Sequence, residues 1–159
     1  MTPPKKPDFT KYRPNAGCVI VNADGKILYC ERADIKGAWQ LPQGGIDAGE
    51  AAQKAALREL FEETAIRDVI IKAEHPEWLT YDIPQSSAQE KAVKGQFIGQ
   101  AQKWFLLEFT GNPATIDLTQ AQDKEFTNYQ WATPEHILET IVDFRRDLYE
   151  AVFKHFGLV

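Results

Sequence analysis

The sequence predicts an α+β fold, with strands and helices layered into one domain. Three observations carry this. At 159 residues the chain falls in the single-domain range. Strand-like and helix-like runs follow one another in the order β-β-α-β-β-β-α-α, which suggests a mixed α+β sandwich. From residue 50 to about 64 there is no Gly or Pro, and Ala, Leu, Glu, Lys and Arg dominate, so a helix is predicted there.

Each element can be placed in turn. Residues 1–11 are rich in Pro and Lys and read as a flexible tail, which leaves 12–159 as the single domain. "AGCVIVN" (16–22) is apolar and β-branched, "ADG" (23–25) is a turn signal, and "KILYCER" (26–32) alternates. Together they predict a hairpin. "KGAWQLPQGGIDAGE" (36–50) is mostly loop around a short strand. In the predicted helix, Ala52, Ala56 and Leu60 form an apolar stripe. "VIIKA" (69–73), "WLTYDI" (78–83), "GQAQKWFLLEF" (99–109) and "FTNYQWAT" (126–133) read as strands, and 83–95 as a long exposed connection. Thr133 before Pro134 marks a helix start, and a last helix is expected over about 144–156.

Composition bounds the function. The net charge of −5 is a poor match to a protein that coats duplex nucleic acid, because such binding rests on many Lys and Arg contacts to phosphate. A chain end remains a possible nucleic-acid target. The two cysteines, Cys18 and Cys30, lie in apolar runs and read as core thiols in a reduced compartment. No secretory signal and no apolar run long enough to span a membrane is seen, so a cytoplasmic location is expected. Protein partners are not legible.

The helix raises a question of charge. Glu59, Glu62 and Glu63 share one face at i, i+3 and i+4, where like charges are mildly destabilising. Arg58, one turn before Glu62, relieves part of this. The alternatives are a solvated acidic face and a cation site, since hard divalent ions are held by carboxylates together with substrate phosphates. The preceding loop decides between them. Gly44 is followed by Glu50 after five residues, and then by Arg58, Glu59, Leu60, Glu62, Glu63, Ala65 and Ile66. This resembles the Nudix box, G-x5-E-x7-R-E-U-x-E-E-x-G-U with U apolar. Every defined position matches except Ala65, which stands where the box has Gly. That glycine ends the helix in a left-handed cap, a role Ala fills with some strain.

The likeness extends over about 12–156. "YRPNAGCVIVN", "GAWQLPQGGID", "WLTYDIP", "IGQAQKWFLL" and "VDFRRDLY" resemble segments of bacterial RNA pyrophosphohydrolases, whose close relatives cleave diadenosine polyphosphates. The resemblance implies a Nudix-type α/β/α sandwich around a mixed central β-sheet. It implies Mg²⁺, two or three ions with Mn²⁺ as a substitute. As ligands it implies the Gly44 carbonyl, Glu59, Glu62, Glu63 and Glu125, the last in "DKEF" where relatives have "PEF". Glu50 and Arg58 are implied as ionic supports. Arg13 and Arg32 are implied to face phosphates or RNA, Gln100 a base, and Phe144 and Arg145 to stack on and grip a base. Gln43 belongs to the same substrate-binding set, although it can also simply close a turn.

Three functions are carried forward. The first is conversion of 5′-triphosphate or diphosphate RNA ends to monophosphate, which initiates mRNA decay. The second is the same chemistry on diadenosine tetra- or pentaphosphate. The third is a non-catalytic nucleotide-binding regulator. Trp39, Trp104 and Trp131 are assigned to packing, and the three histidines to no catalytic role.

Overall fold

The centre of the molecule is a pair of long parallel strands, β1 (Tyr12–Val21) and β7 (Gly99–Phe109), in register from Tyr12 beside Gly99 to Val21 beside Glu108. The structure, a computed structural model, describes residues 6–84 and 97–159. Around the central pair lie β2 (Ile27–Arg32), β3 (Trp39–Gln40), β4 (Gln43–Gly45), β5 (Val69–Glu74), β6 (Leu79–Asp82) and β8 (Phe126–Ala132). The sheet runs β3-β2-β1-β7-β5, with β4 on β1, β6 on β7 and β8 on β2. All pairings but β1·β7 are antiparallel. The sheet is therefore mixed.

Alternation along the central strands sorts side chains onto two faces. Ala16, Cys18, Ile20, Phe105 and Leu107 point to one, where helix α1 (Ala52–Thr64) lays Ala55, Ala56 and Leu60 on them. Val19 and Trp104 point to the other, against Ile137 of α2 (Pro134–Thr140) and Leu148, Val152 and Phe153 of α3 (Asp143–His155). Helices on both faces make the α/β/α sandwich that was expected, in the α+β class. Trp104 is fully buried, and its ring fills the space a side chain at Gly17 would need: a Cβ there would stand 2.6 Å from it.

Most elements lie where the sequence puts them. Asn22 closes the β1–β2 turn with its side-chain oxygen, which accepts from the backbone N–H groups of Asp24 and Lys26. Thr133 caps α2 by accepting from the His136 N–H at 3.1 Å. Three differences have physical causes. Strand β1 begins at Tyr12, through Pro14, because β7 pairs with all of "YRPN", while on the other side β4 pairs with Asn15 and the Ile46 N–H donates to the Pro14 carbonyl at 3.2 Å. The loop at 36–50 holds two short strands. Helix α1 starts at Ala52, because Glu50 turns back to accept from the Asp47 N–H at 3.0 Å. Apart from its first two residues, the expected connection at 83–95 lies outside the described residues. Residues 8–11 form a turn, and Phe9 meets Trp78 edge-on at 5.1 Å between ring centroids.

Candidate active site

Helix α1 meets the loop before it at Gly44. A Cβ at Gly44 would collide with the Glu59 carboxylate, so only glycine lets the backbone come this close. One turn on, Glu63 is 5% exposed, and its Oε2 is buried with no hydrogen-bond partner among the described residues. Burial, and then the charges of Glu59 and Glu125, push its carboxyl well above the usual range, although the Gln43 backbone N–H donates to it. Glu59 is pushed up as well, mainly by burial. Two half- or fully buried carboxylates raised in this way are costly alone.

Arg58 organises the outer side of the same helix. Its Nε and Nη2 donate to the two oxygens of Glu50 at 2.8 and 2.9 Å, and its Nη2 also donates to the Gly45 carbonyl at 2.9 Å. Its Nη1 donates to Glu59 Oε1 at 2.9 Å and to Glu62 Oε2 at 3.1 Å. One oxygen of Glu59 and one of Glu62 are thus held from behind. Glu59 Oε2 and Glu62 Oε1 have no partner among the described residues.

A cavity of about 390 Å³ opens beside these carboxylates. Its lining includes Gly44, Glu59, Glu63 and Glu125 together with Arg13, Arg32 and Arg145. Arg32 lines the cavity and is also bidentate to Asp34, at 2.8 and 2.6 Å. Arg145 is 6% exposed and donates to Gln40 at 3.1 Å, with no carboxylate partner among the described residues. Phe144 is not on the cavity wall. Its ring leans on Tyr81 at 5.7 Å, and the Arg145 guanidinium lies 5.1 Å from its centroid.

Gln43 and Gln100 line the cavity as well, within an amide chain anchored by a donor. The Trp104 indole N–H donates to Gln102 Oε1 at 3.2 Å. Gln102 Nε2 therefore faces Asn15 Oδ1 (2.9 Å), Gln43 Oε1 (3.3 Å) and Gln100 Oε1 (3.4 Å). The Tyr81 hydroxyl also donates to Gln100 Oε1, at 2.6 Å. With their oxygens occupied and no acceptor for their N–H₂ groups among the described residues, Gln43 and Gln100 offer those donors to a ligand.

Sequence reasoning missed Asp123, Gln102 and Asn15. Asp123 sits in the quoted "DKEF", where only Glu125 drew notice. The amides carry no spacing signal, because strand pairing alone brings them together. Lys124 occupies the proline position of "PEF". It folds away, donating to the Thr119 and Ala121 carbonyls at 2.8 and 3.0 Å.

The residues fit a hard divalent cation. Their donors are carboxylate oxygens, one of them buried and orphaned, and a cation between them offsets both repulsion and desolvation. Fold and site together define a metal-dependent hydrolase. The chain belongs to the Nudix hydrolase family: residues 11–152 match the NUDIX domain. It is 43% identical over 155 residues to an RNA pyrophosphohydrolase of Azorhizobium caulinodans, covering 91% of this chain and 92% of that one. It is 41% identical over 151 residues to Nudix hydrolase 25 of Arabidopsis thaliana, covering 92% and 86%. Among solved structures, the Escherichia coli dihydroneopterin triphosphate pyrophosphohydrolase aligns with a TM-score of 0.68 at 21% identity, covering 89% of this chain and 96% of that one. A Caenorhabditis elegans Ap4A hydrolase aligns at 0.65 and 22%, covering 91% and 98%. Among the described residues, no helix is long and apolar enough to cross a membrane.

Proposed function

We propose that this enzyme hydrolyses the 5′-polyphosphate end of RNA, turning a triphosphate or diphosphate end into a monophosphate and so initiating mRNA decay in the cytoplasm. One observation carries the reading: a single cavity joins helix carboxylates to three arginines. A chain end with several phosphates matches that polarity, and the net charge of −5 leaves the remaining surface unsuited to the duplex body.

In this reading Gly44, Glu59, Glu62, Glu63 and Glu125 hold two or three Mg²⁺, with Mn²⁺ as a substitute. Bound ions supply charge neutralisation at the phosphates and an acidified water. Arg13 and Arg32 bind phosphate oxygens and orient the chain end for in-line attack. Glu62, Glu63 or Glu125 accepts the proton of the attacking water. Gln43 and Gln100 donate to the nucleoside part, and the Phe144–Arg145 pair holds a base, Arg145 from the cavity wall and Phe144 through the Arg145 guanidinium 5.1 Å from its ring. Phosphate or pyrophosphate departs.

The test compares kcat/KM on a short 5′-triphosphate RNA and on diadenosine tetraphosphate, each with Mg²⁺. A large preference for RNA is expected, and a large preference for the dinucleotide overturns the substrate assignment while keeping the metal site. Glu62→Gln separates enzyme from regulator. A loss of about 10²-fold or more is expected, the scale of a lost acid–base group, and unchanged cleavage means the metal-centred mechanism is wrong.

A further inference from the structure

The helix carboxylates have a neighbour from another element. Asp123 lies so close to Glu59 and Glu62 that one oxygen of each of the three falls within 4.8 Å of the others. Oxygens bound to one divalent ion at about 2.0–2.6 Å stand roughly 3–5 Å apart, so this triangle has the size of one cation site.

Its surroundings are built. The Asp123 backbone N–H donates to the Glu62 carbonyl at 2.9 Å, which fixes the loop to α1. Two residues on, the Glu125 carbonyl accepts from the Ala33 N–H at 2.8 Å, which fixes it to the turn after β2. Lys124 is the nearest cation in sequence and is spent on loop carbonyls, so it does not neutralise Asp123. The Asp123 side chain has no hydrogen-bond or ion-pair partner among the described residues. Arg58 takes Glu59 Oε1 and Glu62 Oε2 and leaves the other oxygen of each without a partner among the described residues. A separate observation points to a ligand here. Glu63, buried and unpartnered at Oε2, lines the same cavity as Asp123.

We propose that Asp123 is a metal-binding residue: with Glu59 and Glu62 it forms a divalent-cation subsite outward of the buried Glu63. This rests on the metal-dependent reading above and adds a ligand to it. The subsite is less buried than Glu63, so its ion exchanges more readily and fills last.

The experiment titrates Mn²⁺ into the metal-free protein without substrate and follows free Mn²⁺ by electron paramagnetic resonance. Wild type, Asp123→Asn, Asp123→Glu and Glu63→Gln are compared. Asp123→Asn is expected to weaken the last-filled ion about tenfold or more, at least the effect of losing an outer-shell partner. Asp123→Glu, which keeps the carboxylate, is expected to retain it, and Glu63→Gln to weaken the first-filled ion instead. Asp123→Asn should also raise the Mg²⁺ concentration needed for half-maximal turnover. If Asp123→Asn takes up Mn²⁺ like wild type, or if Asp123→Asn and Asp123→Glu lose the ion alike, the assignment of Asp123 is wrong and the metal-dependent reading stands. If wild type itself takes up no Mn²⁺, both fail.

Discussion

Arg58 holds Glu50 by both carboxylate oxygens, at 2.8 and 2.9 Å, across the junction between the glycine loop and α1. A planar fork can do this while a third nitrogen reaches Glu59 and Glu62, whereas an ammonium cannot. Arg58→Lys is therefore expected to lower kcat/KM about 10–100-fold, the range for an outer-shell residue. Adding Mg²⁺ should recover part of the loss. Activity near wild type would show that the fork does not orient the helix carboxylates.

The pH response follows from two opposite shifts. Arg58, and then the Asp47 N–H, hold the Glu50 carboxyl down at about 2. Its contribution to stability is fully present above the unfolded value of about 4.5 and lost as pH falls from there towards 2. Glu59 and Glu63 are shifted up, chiefly by burial. The folded protein binds protons there that the unfolded chain has released, so without metal these two groups stabilise the fold more as pH falls from neutral towards the ordinary carboxylate range. Protons and metal then compete. Mg²⁺ at 100 times its Kd is expected to stabilise by about 2.7 kcal/mol, or roughly 5–10 °C in Tm for a chain of this size. The gain should be larger at pH 8 than at pH 5. An equal shift at both pH values would contradict the upward displacement of Glu63.

Ala65 ends α1 with φ 64°, its N–H donating to the Phe61 carbonyl at 2.8 Å. This is the left-handed cap that the family motif gives to glycine. A left-handed alanine costs about 1–2 kcal/mol, and a glycine returns about 0.4–1 kcal/mol through the unfolded chain. Ala65→Gly is expected to stabilise by about 0.5–1 kcal/mol, a rise of roughly 1–4 °C in a thermal melt. Turnover should be unchanged, since Ala65 touches no carboxylate of the site. A lower Tm would mean that the strain is already relieved elsewhere.

Gln102 sits at the hub of the amide chain and is buried. Gln102→Leu leaves the Trp104 N–H unpaired and releases Gln43 and Gln100. The buried donor alone costs about 1–3 kcal/mol. Freed amides present either face to the ligand, so KM is expected to rise several-fold while kcat changes little. A fall in kcat with KM unchanged would place Gln102 in the reaction itself.

The carboxylate half of the site was legible because its residues share one helix. Spacing within a helix is written directly in sequence, so Glu59, Glu62 and Glu63, and Arg58 beside them, could be placed on one rod before any tertiary information. The other half depends on strand pairing. Arg13 stands beside Gln100 because β1 runs parallel to β7, and nothing local to either strand states this. The same pairing carried β1 back through Pro14, where local propensity argues against a strand. The pair "FR" could likewise be placed at a helix start, but how its side chains are turned is set by the packing of α3: Arg145 lines the cavity, and the Phe144 ring leans on Tyr81.

The parallel β1·β7 pair also fixes when the pocket can exist. Asn15 and Gln102, hydrogen-bonded at 2.9 Å, are 87 residues apart in the chain. During synthesis the first arm of the cavity leaves the ribosome long before the second, and at about 5–20 residues per second roughly 6–22 s separate Arg13 from Glu125. A nascent chain stopped before Gln100 has Arg13 and Arg32 without the amide wall, and one stopped before Asp123 still has no carboxylate loop. The cavity is therefore complete only late in synthesis, once Glu125 and then Arg145 have followed the strands that wall it.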